Sequence, residues 1–314
     1  MFPGAGNDGT AEARRPQRFQ GDLYTARGVP RNPETRSCHS FSAVAPGHRS
    51  WVDGVVTSGS LSFDRAASYY DRTRPISPEA LPRLMERLGG ELEGRGSSLE
   101  VGVGTGILSL PLVERGVRMV GLDLSRPMLD RLRQKAGEEV PLPVVQGDAT
   151  AMPFRDDAFG GALIRHVLHL IPEWERALEE VLRVLRPGAV VLVNHGEYPE
   201  GLRQLFDRFV EEAGAERPWV GLGHDELDRL HGWMRSRGAA VRELEPIREE
   251  VEEPLEAFVD GMRDGLYSWT WGVEEEVRRE AAERVRAWAT EELGPLDRPR
   301  TRETEIAFWA YDLP

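Results

Sequence analysis

The residues best placed to do chemistry are a run of glycines and two acids that follow short apolar stretches. Leu99-Glu100-Val101-Gly102-Val103-Gly104-Thr105-Gly106 reads as a strand turning into a helix. Glycines at such a turn permit positive φ and let the backbone approach a ligand closely. Their spacing is G-x-G-x-G, and Ile107 stands where a dinucleotide fingerprint carries its third glycine. Glu100 lies inside the strand end, where a buried carboxylate needs a partner to offset its desolvation. The ammonium group of a bound amino acid, met through a water or a neighbouring amide, would be one. The next apolar run ends in Gly121-Leu122-Asp123-Leu124-Ser125. An acid at the tip of that neighbouring strand can accept hydrogen bonds from both hydroxyls of a ribose. The plainer alternative, an acid favoured by a helix dipole, competes with Ser125, which already suits the cap.

Two further groups bear on chemistry. His166 and His169 are three apart, as on one face of a helical turn. No third ligand has suitable spacing for a metal, so none is expected. His166 suits a general base and His169 a structural role. Tyr267-Ser268-Trp269-Thr270-Trp271 sits between two predicted helices, and large aromatics are usually core. Loops carry function more often than the elements they join, so Tyr267, Trp269 and Trp271 are candidates to face a substrate.

These groups need a scaffold, and the chain supplies an alternating one. Strands are expected at Leu99–Val103, Val117–Leu122, Leu142–Val145, Ala162–Ile164 and Val190–Val193. Between them lie a helix through Met128, Leu129 and Leu132, and another over Trp174–Leu185 that Pro187-Gly188 should end. Near-continuous apolar strands separated by amphipathic helices specify a parallel sheet covered on both faces. Ahead of the sheet, Phe63, Ala66, Ala67 and Tyr70 recur at helical spacing. A second helix opens at Ser77-Pro78-Glu79 and should stop at Gly89-Gly90. After Asn194, helices are expected near 200–213, 224–237, 254–264 and 274–292. A strand should form near Ala240–Leu244 and a last one over Glu305–Tyr311. The charge run Arg248–Glu253 reads as a solvated face.

Composition bounds the rest. The 314 residues are 40% hydrophobic and 30% charged, with a formal net charge of −13. That charge argues against a nucleic-acid partner held by counterion release. Lys135 is the only lysine, which points to coding bias towards arginine. A single cysteine, Cys38, excludes an intramolecular disulfide. No apolar run approaches a membrane span and no signal peptide is visible, so a cytoplasmic location is expected. Residues 1–58 mix Gly, Pro, Ser and Arg without helix or strand period. A disordered extension is expected there, or a reading frame that truly starts near Val55, which leaves Cys38, His39 and His48 poor site candidates.

Taken with their spacing, four blocks resemble the class I S-adenosylmethionine-dependent methyltransferases, in the group of the type 11 methyltransferase domain. They are Glu100–Gly106, Val120–Met128, Gly147–Met152 and the run from Ala162 to Val193. The resemblance covers residues 61–195. It implies an α/β fold: a Rossmann-like, doubly wound, mostly parallel seven-stranded sheet with its last strand antiparallel, and helical cap insertions. With the disordered extension over 1–58 set aside, it further implies one methyltransferase domain over 59–314, with a cofactor-binding core at 61–195 and substrate-cap segments at 196–238 and 252–300. S-adenosyl-L-methionine is the implied cofactor.

Carried over residue by residue, Gly102, Gly104 and Gly106 would line the methionine part of the cofactor. Asp123 would hold the ribose, Leu124 and Met128 would pack on adenine, and Asp148 and Ala149 would meet its polar edge. Arg165 and His166 would lie near the transferable methyl group, and Tyr70-Asp71 would close over the cofactor. Phe159 is followed by Gly160 where the family commonly has an acid, and Ala189 replaces the second glycine of a Pro-Gly-Gly block. Both positions are structural.

Methyl transfer from a sulfonium is catalysed mostly by positioning and by exclusion of water. A loud cofactor site can therefore accompany a silent catalytic one. A small-molecule methyl acceptor is expected. The rival readings are a cofactor-binding protein without catalysis and, against Ile107, a nicotinamide-dependent dehydrogenase. An amino-directed base modifier would carry an Asn/Asp-Pro-Pro-aromatic run where Arg165-His166-Val167-Leu168 stands.

Overall fold

The computed structural model describes residues 59–137, 139–195, 200–215 and 219–314. The expected extension over 1–58, with Cys38, His39 and His48, lies outside the described residues. The five apolar runs form the parallel strands β1 (Ser97–Val101), β2 (Arg118–Asp123), β3 (Val144–Gln146), β4 (Phe159–Arg165) and β5 (Leu185–Asn194). The edge strand β6 (Ala240–Glu243) follows, and the chain closes on β7 (Ile247–Pro254), β8 (Pro299–Ile306) and β9 (Trp309–Asp312). The main sheet has seven strands in the order β3-β2-β1-β4-β5-β9-β6. Strand β9 inserts antiparallel between β5 and β6. From β1 the chain winds outward through β2 and β3, then returns to β4 on the other side. The crevice at that reversal, beyond the carboxyl ends of β1 and β4, is where open α/β sheets bind ligands.

Helices α1 (Tyr70–Thr73), α2 (Ala80–Leu92), α3 (Ser109–Glu114), α4 (Arg126–Ala136) and α5 (Trp174–Val184) accompany the parallel half. One core lies on each sheet face. Trp174, Leu178 and Val181 of α5 pack on one face, and Leu84, Leu88 and Leu92 of α2 on the other. Helices α6 (Glu200–Glu212), α7 (Leu227–Arg235), α8 (Leu255–Arg263) and α9 (Glu275–Leu293) belong to the second half. Of these, α6, α8 and α9 share a separate core around Phe209, Val259, Met262 and Val285.

Four expectations need correction. The helical spacing from Phe63 to Tyr70 is broken into a 3-10 turn at Asp64–Ala66 and the four-residue α1. Helix α2 is capped at Ser77, whose hydroxyl accepts from the Ala80 amide at 3.0 Å, but it runs through Gly89-Gly90 to Leu92. Burial of Leu88 and Leu92 outweighs the cost of two helical glycines, about 1 kcal/mol each. Helix α5 ends at Val184, and Pro187-Gly188 belongs to the exposed start of β5. The charge run Arg248–Glu253 keeps the solvated face expected of it, and it does so as a strand, β7, paired antiparallel with β8. Arg248 meets Glu305 across the pair at 3.0 Å and Arg302 pairs with Glu253, so opposite charges fix its register. The expected last strand is split in two, with buried Phe308 at the corner between β8 and β9. The 252–300 segment thus carries strand at both ends as well as helix.

Candidate functional site

The glycine loop and the acid behind it are joined directly. Asp123 ends β2 one strand from the loop, and its Oδ2 accepts from the Gly104 amide at 2.7 Å. Its Oδ1 accepts from the Ser125 amide at 2.8 Å. Each carboxylate oxygen keeps a further lone pair for a ligand hydroxyl. Burial pushes the Asp123 carboxyl up to about 6 despite the two amides. Glu100, 3% exposed, takes a hydrogen bond from the Ser109 hydroxyl. Burial drives its pKa up to about 8, so at neutral pH it is a protonated acid.

The loop leaves no room for side chains. Gly102 has φ +72°, and a Cβ there would sit 2.3 Å from a γ-methyl of Val167. Gly104 has φ +53°, and its Cβ would come within 3.1 Å of the Met128 methyl. The cradle is open on the other side. A cleft of about 650 Å³ is lined by Gly102, Gly104, Asp123, Leu124 and Met128, together with Asp148, Ala149, Tyr70, Arg165 and His166. Of the residues expected at the cofactor, Glu100 and Gly106 sit behind this lining, in the strand and the loop that shape it. Asp148 turns one oxygen back on the amide and hydroxyl of Thr150, both at 2.9 Å, which stiffens the turn after β3.

The N-terminal stretch closes one wall. Leu61 donates its amide to the Leu170 carbonyl at 2.9 Å, and the Thr105 hydroxyl donates to Asp71. The Lys135 ammonium lies 3.1 Å from Asp71. The sole lysine of the chain thus ties α1 and α4 to the glycine loop. Ser60, Leu61 and Phe63 join the lining, a place in the site that nothing in the sequence had marked for them.

Beyond β4 the chain makes a strained turn. His166 has φ +55°, a left-handed conformation that costs a non-glycine residue about 1 kcal/mol or more. The strain turns the backbone so that His166 and Val167 face the cleft while His169 is buried behind them. Burial and the nearby Arg165 guanidinium hold the His166 imidazole well below the usual histidine range, so it is neutral at pH 7. His169 stands 4.7 Å, centroid to centroid, from His224, which in turn stacks on His195 at 5.3 Å. His195 Nε2 lies 2.6 Å from the Gly223 carbonyl, which can only accept, so that nitrogen carries the proton. Among the described residues no group of three or more His, Cys, Asp or Glu has metal-binding geometry. His195 and His224 were not singled out by spacing, since 28 residues of chain separate the hydrogen-bonded pair His195 and Gly223. The one available signal was the place of His195 just past the end of β5.

The aromatic segment stands apart from the cleft. Trp269 is 3% exposed in the core of α6, α8 and α9, edge-on to Phe206 at 4.9 Å and Phe209 at 5.3 Å. Its expected place facing a substrate is corrected: the apolar faces of three helices enclose it. Tyr267 stacks on Trp269 at 5.4 Å, with the Arg74 guanidinium 5.7 Å from its ring. Trp271 packs on Phe63 at 4.8 Å, under Arg65, and thereby supports the wall of the cleft from behind.

With this geometry in place, comparison with known proteins is informative. Residues 99–193 match the family model described as a methyltransferase domain. The chain is 31% identical over 213 residues to an uncharacterised methyltransferase of Mycobacterium bovis, covering 67% of this chain and 71% of that one. It is 32% identical over 142 residues to a demethylmenaquinone methyltransferase of Clavibacter sepedonicus, covering 43% of this chain and 56% of the other. The fold is similar to that of the YcgJ protein of Bacillus subtilis, with a TM-score of 0.51 at 17% identity over 76% of this chain and 100% of that one. The loop, the strand-end acid and the sheet order agree with these likenesses, and the chain belongs to the class I S-adenosylmethionine-dependent methyltransferases.

Proposed function

We propose that the chain transfers the methyl group of S-adenosylmethionine to a small-molecule acceptor that enters beside His166. The observation that carries this is the cleft itself, which runs from Asp148 and Ala149 past Asp123 and the glycine loop to Arg165 and His166. Asp123 would hold the ribose hydroxyls, Leu124 and Met128 the adenine faces, and Glu100 the ammonium side of the methionine part. The relative from Clavibacter sepedonicus, named for a quinone precursor, supports a small acceptor.

The bound cofactor supplies an electrophilic methyl group on a sulfonium. The rest falls to this chain. The strained turn at His166 presents a neutral imidazole that can take the proton released when an O–H or N–H acceptor is methylated. Leu61, Phe63, Leu170 and Ile171 wall the cleft with apolar surface, which excludes water from the reacting atoms.

Titration calorimetry with S-adenosylmethionine and S-adenosylhomocysteine tests the cofactor site, and NADH is the comparison ligand. Incubation of cell extract with methyl-labelled cofactor then tests transfer. Label recovered in small molecules and lost in His166→Ala supports the reading. Label recovered only in macromolecules, or unchanged in the variant, overturns it.

A further inference from the structure

The methyl-transfer end of the cleft gathers positive charge without a matching anion. Arg165 ends β4 and lines the cleft, and its Nε is buried with no hydrogen-bond partner. Arg74, one turn beyond Tyr70, lies within electrostatic reach of Arg165, His166 and His169. Its Nη1 donates to the Thr73 carbonyl at 2.8 Å, and its guanidinium stands off the Tyr267 ring. Among the described residues neither arginine is in an ion pair. Glu100 is the carboxyl that acts most on Arg165, but it is held by Ser109 and protonated at neutral pH.

The imidazole wall beyond has the same character. His169 is 5% exposed, and its Nδ1 is buried without a partner. His224, its neighbour, lines a second cavity of about 970 Å³ between α6 and the loop over 219–226. Acids on that cavity sit at its exposed rim or are already engaged. Asp207 pairs with Arg203 at 3.4 Å, and Glu226 accepts from the Gly223 amide at 2.7 Å and pairs with Arg229. An unpartnered guanidinium Nε and an unpartnered imidazole nitrogen each cost free energy until a polar partner joins them, and two neighbouring guanidinium groups of like charge favour an anionic one.

The cofactor brings one carboxylate, too few for this array. Resting on the methyltransferase reading above, we infer that the acceptor itself carries an anionic group, a carboxylate or a phosphate, held by Arg165 of the cleft lining together with Arg74. A guanidinium suits either anion, since its fork of donors matches two oxygens at once.

The test uses the full chain saturated with S-adenosylhomocysteine and four probes: benzoate, phenyl phosphate, benzamide and benzylamine. Calorimetry is expected to give benzoate or phenyl phosphate an affinity about tenfold or more above benzamide, as one charge-assisted hydrogen bond provides. Whichever of the two binds tighter tells carboxylate from phosphate. Arg74→Gln should bring the anion down to the benzamide level while S-adenosylhomocysteine binds within about twofold, and Arg74→Lys should restore part of the preference. Equal affinity for benzoate, phenyl phosphate and benzamide overturns the inference. So does tighter binding of benzylamine, or an Arg74→Gln variant that loses S-adenosylhomocysteine and keeps the anion preference. Failure of the wild-type chain to bind S-adenosylhomocysteine at all would count against the methyltransferase reading, which separates the two failures.

Discussion

The parallel half of the molecule and the helical half use aromatic and charged residues in opposite ways. In the parallel half, polar groups that could bind a ligand sit at strand ends, where the backbone fans open: Asp123 after β2, Asp148 after β3, Arg165 and His166 after β4. In the helical half the conspicuous residues are spent on packing. Trp269, Phe209 and Met262 fill a core of their own, and Trp271 braces Phe63 from outside the cleft. The aromatic cluster over Tyr267–Trp271 thus supports the cleft from outside rather than lining it. The polar residue of the helical half that approaches the site is instead His224, brought in on the loop after α6.

That contrast can be broken by mutation, and its largest expected effect is on stability. Trp269→Ala should cost about 3–5 kcal/mol, as truncation of a buried aromatic does. Trp271, half-buried against Phe63, should cost clearly less. Thermal unfolding with and without S-adenosylhomocysteine checks this. If Trp269→Ala leaves the melting temperature unchanged and removes only acceptor turnover, Trp269 faces the substrate after all.

Next comes the strand-end acid. Asp123→Ala removes the anchor of the Gly104 amide and the charged acceptor proposed for two ribose hydroxyls. At about 1.5 kcal/mol or more for each such bond, affinity for S-adenosylmethionine should fall by about a hundredfold or more while the fold survives. Because its carboxyl is pushed up to about 6, wild-type affinity should also weaken as pH falls through that value, when the carboxyl turns from acceptor to acid. Calorimetry at several pH values reads both effects, and an affinity flat across this range would remove Asp123 from the site.

Glu100 should show a smaller effect of opposite sign on the cofactor-free protein. Its pKa rises from 4.5 to about 8 on folding. Between those values the unfolded chain has released the proton and the folded chain has kept it, so stability is lost as pH rises through this window. Glu100→Gln keeps an acceptor for Ser109 and removes that loss. Its melting temperature without cofactor should exceed that of the wild type near pH 8 and match it near pH 4, whereas S-adenosylmethionine should bind it more weakly. A variant less stable than wild type at both values would show that Glu100 is ionised in the resting protein.

The smallest effect is expected at the tie between α1 and the glycine loop. Asp71 is half-exposed, so Asp71→Asn should cost less than about 1 kcal/mol of stability. It should nonetheless raise amine labelling of Lys135, the only lysine, in the cofactor-free chain. Labelling that is unaffected by the variant would mean the Asp71–Lys135 pair does not hold the strap in solution.

How much of this was legible beforehand follows from where each signal is stored. The loop over Glu100–Gly106, the acid Asp123 and the turn at Gly147-Asp148-Ala149 are local: a positive φ or a strand-end carboxylate is dictated within a few residues, and spacing alone exposes it. The alternation of β1 to β5 with their helices was legible for the same reason, because each element's apolar period is its own. What stayed hidden needed partners distant in the chain. The charge run Arg248–Glu253 became a strand by pairing with Arg300–Glu305, some fifty residues further on, where Arg248 meets Glu305. His169, His195 and His224 became one wall only when the 219–226 loop, through Gly221 and Leu222, hydrogen-bonded to the turn after β4. Trp269 was assigned by its loop position to the substrate and by burial to the core, since only packing among α6, α8 and α9 decides which face of a short turn is inside. The sequence by itself determined the cofactor and the sheet that holds it, for both are written in backbone constraints and strand periods. Tertiary structure alone decided the histidine wall beside the cleft, because that wall is made of side chains whose meeting is a property of long-range packing and of charges with no local counterpart.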